Sequence, residues 1–101
     1  MANTFRGYES TDVTTETTVF TGLSSTQTTI IGLSIANTAA VPAYVSVKRN
    51  TAYLVKDAPV PVGGALVVVG GDQKVVVETD DTIKVSSTQT VDVITSTLEI
   101  N

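Results

Sequence analysis

The side chains best placed to do chemistry are three carboxylates within four residues, Glu78, Asp80 and Asp81, in the run VVVETDDTIKV. Oxygens so spaced could begin a Ca²⁺ site, but that ion takes about six to eight oxygen ligands. The nearby sequence adds only Asp72 and main-chain carbonyls. Paired carboxylates could also hydrolyse a substrate, which requires two acids facing each other across a cleft and burial that raises one pKa. Asp80-Asp81 instead spells a turn, where both acids meet water. The expectation is a solvated loop, with no catalytic residue, no metal site and no cofactor.

Other routes to chemistry are closed by composition. The chain has no His and no Cys, so it lacks the commonest general base and metal ligand, any thiol and any disulfide. Its Ser and Thr hydroxyls have no His, and no well-placed Lys, to activate a nucleophile. Gly63-Gly64 and Gly70-Gly71 are not phosphate loops, because no helix follows to present its amides and no GK[ST] signature is present. Net charge is −4 and the six basic residues are scattered, which argues against direct contact with nucleic acid. No apolar run is long enough to span a membrane, and the start lacks the basic and apolar regions of a signal peptide.

What must position these residues is a set of strands. Val and Thr together make up roughly a third of the 101 residues, the composition of pleated, half-buried ribbons. The stretch Tyr53 to Val85 holds two of the three prolines, Pro59 and Pro61, and the longest valine runs. Val67-Val68-Val69 and Val75-Val76-Val77, separated by Gly70 to Lys74, read as a hairpin, with Ile83 and Val85 on a third strand folding back on the second. Upstream, Ile31, Leu33 and Ile35 alternate with Ile30, Gly32, Ser34 and Ala36, and Gly32 marks a bulge or a close approach. Val45 and Val47 point inward, with Tyr44, Ser46 and Lys48 outward. In the last strand, Thr90 to Ile100, the apolar parity switches from Val91 and Val93 to Ile94, Leu98 and Ile100, which predicts a β-bulge or a doubly buried segment near Ile94-Thr95.

With no helical stripe, the chain is expected to be all-β: a single-domain antiparallel β-sandwich, jelly-roll-like, of about eight strands over residues 17–101. An immunoglobulin-like sandwich is the runner-up. Residues 1–16 read as an extended N-terminal arm or a ragged first strand. Of the five aromatics, Phe20 and Tyr53 are assigned to the core. Phe5 and Tyr8 on the arm, with Arg6 between them, and Tyr44 on an outward strand face are the candidate contacts for another protein, since Tyr is enriched at interfaces. Outer strand faces rich in Thr, Ser and Ala leave the sheet edges lightly guarded by charge, as in a chain that lives within an assembly.

Four segments carry a resemblance: IGLSIANT at Ile31 to Thr38, YLVKDAPVP at Tyr53 to Pro61, GGDQKVVVE at Gly70 to Glu78, and VDVI with LEI between Val91 and Ile100. In that order they resemble a family of small virion structural proteins of tailed bacteriophages, of the marine phage and cyanophage type. The resemblance implies a non-enzymatic particle component made in the host cytoplasm without a signal peptide. Its implied role is a capsid cement or decoration protein, a homo-oligomer with a trimer favoured, bound to the major capsid protein or other virion proteins. A neck or tail accessory subunit is the alternative, and a module that binds a host glycan or receptor is another.

Overall fold

Alternation of β-branched with small polar residues builds nine strands and no helix among Asn3–Asn101, the residues described in this computed structural model. They are β1 (Asn3–Val13), β2 (Thr17–Thr21), β3 (Gln27–Asn37), β4 (Ala43–Arg49), β5 (Ala52–Val60), β6 (Ala65–Val69), β7 (Val75–Val77), β8 (Thr82–Ser87) and β9 (Val91–Ile100). A long sheet has the order β1-β9-β3-β6, with β7 also on β3, and a short sheet has the order β2-β8-β4-β5. All pairings are antiparallel. Pairs nest from the innermost hairpin β4–β5 outward through β3 with β6 and β7, β2–β8 and β1–β9, which is the jelly-roll arrangement and not the immunoglobulin one. Between the sheets lies a core of Val, Ile and Leu, with Ile30, Leu33, Ile35, Val45, Val47, Val69, Val77, Ile83, Val85, Val91 and Val93 almost wholly removed from water.

The two valine triplets do not form a hairpin. Val69, Val67, Leu66 and Ala65 pair with Leu33 to Ala36, while Val75 to Val77 pair with Ile30 to Thr28, so β6 and β7 lie end to end along one edge of β3. Gly70 to Lys74 is a loop thrown out from this interrupted strand, turned by Gly71 at φ 60°. The same turn residues serve a hairpin or a looped-out edge. The eleven residues of β3 offer an edge long enough for both triplets. Nor does Ile83 fold back on Val77: β8 belongs to the short sheet, and the loop Glu78 to Asp81 crosses between layers. The shared alternation arises because Val75 and Val77 enter the core from one side and Ile83 and Val85 from the other.

Neither the bulge nor the doubly buried segment expected near Ile94-Thr95 is present. Burial alternates without a break through β9, and the register slips instead on β3, where Ile31 is the extra residue between Ile30, opposite Thr97, and Gly32, opposite Ser96. Ile30, Leu33 and Ile35 therefore share the inner face.

The first residues are not a projecting arm. Asn3 to Ser10 pair residue for residue with Ile100 to Val93, making β1 the edge strand of the long sheet, and only Met1 and Ala2 fall outside the described residues. An edge strand needs little apolar content, since its main chain does most of the bonding. Tyr53, assigned to the core, is half exposed on the short sheet, whereas Phe20 is buried as expected. A slip in the β4–β5 register between Val47–Val55 and Lys48–Tyr53 turns the Tyr53 ring outward beside Lys48.

Candidate protein-binding surface

The acidic turn is a structural clasp. Asp81 accepts hydrogen bonds from Arg49 Nη2 at 2.7 Å, Asn50 Nδ2 at 3.0 Å and the Glu78 amide at 3.0 Å. The Asn50 bond, the Glu78 N–H and the nearby Arg49 guanidinium hold its carboxyl below the usual range. Asp80 sits at φ 69° with its side chain in water, and Glu78 lies 4.0 Å from Arg49. Opposite, Gly22 donates to Asp81 O and accepts from the Asp80 amide, and a Cβ there would fall 1.8 Å from Glu78 O, so only glycine fits. No cluster of three metal-ligating side chains forms among the described residues. An open hollow of about 600 Å³ beside this turn, lined by Thr26 to Thr29 and Val76 to Thr79, has Glu78 as its single ionisable group.

A second carboxylate, which composition did not single out, is the buried one. Glu99 points inward from β9 and accepts from Tyr8 Oη at 2.6 Å and Thr97 Oγ1 at 3.0 Å, with Arg6 Nε 3.3 Å away. Burial, followed by the bond to Glu99, raises the Tyr8 phenol above its ordinary pKa. Tyr8 also packs on Phe20, ring centroids 5.1 Å apart. Arg6 and Tyr8 thus clamp β1 onto its own sandwich, while Phe5 on the same strand faces the solvent.

On the long sheet the outward face reads as rows across the strands. One row is Phe5, Leu98, Thr29 and Val76; another is Glu9, Ile94, Ser34 and Val67. Between them runs a low row of Gly7, Ser96 and Gly32, with a hollow of about 270 Å³ against Gly7 and Ile94. Phe5 is 72% exposed, Val67 67%, Val76 59% and Ile94 53%, where a solvated antiparallel face would carry polar groups. Its charges are Glu9 and, in a further row with Ala36 and Ala65, Asp92.

The outward face of the short sheet differs in kind. Thr18, Lys84, Lys48 and Tyr53 form one cross-strand row, and four residues away along β4 Tyr44 stands opposite Pro59. Lys48 and Lys56 each hold an ammonium about 5.5 Å from the Tyr53 ring centre, and Glu16 bonds Lys48 at 2.9 Å. Of the four residues expected to make contacts, Phe5 and Tyr44 therefore lie on opposite outer faces, Tyr8 turns inward, and Arg6 reaches Glu99 from the edge with its side chain 60% exposed.

No protein-family model and no curated protein matches this chain. Among solved structures, one described as Bacillus endospore appendages that form a novel family of disulfide-linked pili is similar over 99% of this chain and 87% of that one, at 14% identity and a TM-score of 0.51. That likeness concerns the fold alone, and the 101 residues here contain no cysteine with which to make such a link.

Proposed function

We propose that this chain is a non-enzymatic structural subunit of a larger protein particle, a cement or decoration protein of a phage virion as the resemblance implies, bound to its neighbours through the outward face of the long sheet. One observation carries the reading. Near its C-terminal end β9 hides Thr95, Thr97 and Glu99 and turns the exposed Ile94 and the partly covered Leu98 and Ile100 outward, an inversion that favours covering the apolar side with another surface. Burying such a face is worth roughly 25 cal/mol per Å² of apolar area, the ordinary driving force of protein association. A second reading, an accessory subunit of a neck, tail or other appendage, draws support from the 45 × 23 × 22 Å shape with distinct faces on opposite sides. The fold shared with a pilus protein also supports it.

The test is particle binding. Mass spectrometry of purified particles is expected to find the chain in stoichiometric amounts, and the purified protein should co-sediment with particles that lack it. Ile94→Lys, at an exposed site, is expected to abolish attachment while leaving the folded protein intact by circular dichroism. Absence from the particles would end the proposal.

A further inference from the structure

We propose that the apolar face of the long sheet is covered by the short sheet of a second copy of this chain, so that copies stack face to face in an open series. This rests on the structural-subunit reading above and names the partner of the same surface. Charge is the first argument. Among the described residues the long sheet's outer face carries the carboxylates Glu9 and Asp92 and no cation, while Lys48, Lys56 and Lys84 stand on the short sheet's outer face with Glu16, which pairs with Lys48 and Lys84, and Asp57, leaving that face with one positive charge in excess. Pairing two long sheets would bury Phe5, Val67, Val76 and Ile94 but leave Glu9 and Asp92 without a countercharge.

Spacing is the second argument. On β1, Glu9 and Phe5 are four residues apart, and on β4, Lys48 and Tyr44 are also four apart, roughly 13 Å on each face. Setting the Lys84–Lys48 row over the Glu9 row, with Asp92 one row beyond it, therefore sets Tyr44 and Pro59 over Phe5 and Leu98. Within one copy the acidic border and Tyr44 lie at the same end, as the Thr88 amide bond to Tyr44 O and the start of β9 at Val91 place them. Matching the rows thus requires each copy to be turned about half a turn, about the stacking axis, relative to its neighbour.

Direction is the third. The two outer faces look away from each other, so a contact between them is heterologous and continues past the second copy, giving a linear stack where a trimer would need surfaces inclined to close a ring. The short sheet, with strands of five to nine residues, limits the footprint. Four strands at ~4.8 Å spacing and about 20 Å of strand length bury on the order of 1,000 Å² in total, at the low end for a specific contact. Stacking is accordingly concentration-dependent, and salt weakens it where the lysines meet carboxylates.

The cysteine-free chain makes the test direct. Four variants are made separately: Gly7→Cys, whose added atom meets nothing within 4 Å, Glu9→Cys, Lys84→Cys and Tyr44→Cys. Mixed pairs are treated with a short bis-maleimide after circular dichroism confirms folding. Glu9→Cys with Lys84→Cys is expected to give crosslinked dimer at least several-fold above Glu9→Cys with Tyr44→Cys, and the yield should fall in high salt. Unmodified protein should sediment as a concentration-dependent ladder. Efficient self-crosslinking of Gly7→Cys would overturn the proposal in favour of paired long sheets. A single trimeric species, or a monomer at millimolar concentration, would overturn it as well. Any of these results, obtained while Ile94→Lys still detaches the chain from particles, leaves the structural role standing. Absence from particles with the ladder intact removes that role and keeps the stack.

Discussion

The two sides of β9 obey opposite rules. From Thr95 onward the inner side carries two threonines and a glutamate, almost wholly buried, and the outer side carries Leu98 and Ile100 with Ile94 just before them. In the first half of the strand Val91 and Val93 face inward in the ordinary way. The difference separates what holds the chain together from what the proposal offers to a partner. At the C-terminal half, the fold relies on a polar clamp, Tyr8, Thr97 and Arg6 on Glu99, and the apolar groups lie on the outward side.

The sharpest way to break this contrast is to remove one member from each side. Glu99→Ala strips the acceptor from Tyr8 and Thr97 and frees Arg6, and should cost about 2–3 kcal/mol of unfolding free energy in urea denaturation. Ile94→Ser, on the exposed side, should cost the isolated protein less than about 0.5 kcal/mol. Equal losses would mean that the outer face supports the monomer itself and is not held in reserve.

A smaller effect comes from pH. Tyr8 has a folded pKa above its ordinary value of 10.0, so its contribution is present in full below about pH 10 and is lost as pH rises from there through the folded value, where a phenolate would face the Glu99 carboxylate. Hydrogen exchange should therefore show the amides of β1 losing protection in alkali before those of β3. Tyr8→Phe should cost about 1–2 kcal/mol at neutral pH and remove that alkaline step. Unchanged alkaline behaviour in Tyr8→Phe would place the sensitivity elsewhere.

How much of this was readable beforehand follows from what a period of two can and cannot say. Alternation located most strand segments and the inward set Val45, Val47, Ile83 and Val85, because one face of each ribbon must meet the core. It could not tell Val75 to Val77 as a hairpin arm from the same residues continuing β6 along β3, since only the partner's edge decides that. Nor could it foresee that Ile94, Leu98 and Ile100 point out. A parity switch suggests a bulge unless the inner face can be polar, as Thr95, Thr97 and Glu99 make it here. Glu99 was invisible for the same reason, and its clamp depends on Arg6 and Tyr8, more than ninety residues away in sequence. The Gly32 signal did mark a bulge, one residue earlier at Ile31.

The finest probe of the inner side is Thr28, the cross-strand neighbour of Glu99 on β3, whose buried Oγ1 has no hydrogen-bond partner among the described residues. An unpaired buried hydroxyl carries a desolvation penalty that a methyl group of the same shape does not. Thr28→Val is nearly isosteric, so it should leave the packing in place and raise stability by about 0.5–1 kcal/mol, measured by urea denaturation beside Glu99→Ala. A loss instead would mean that the hydroxyl is engaged through water with the Glu99 carboxylate, and the clamp would then extend from β1 across β9 to β3. In that case the double variant would fall short of the summed single effects, because each substitution removes part of the same network. The contrast between the two sides of β9 would become one between a continuous polar layer within the sandwich and an apolar layer outside it.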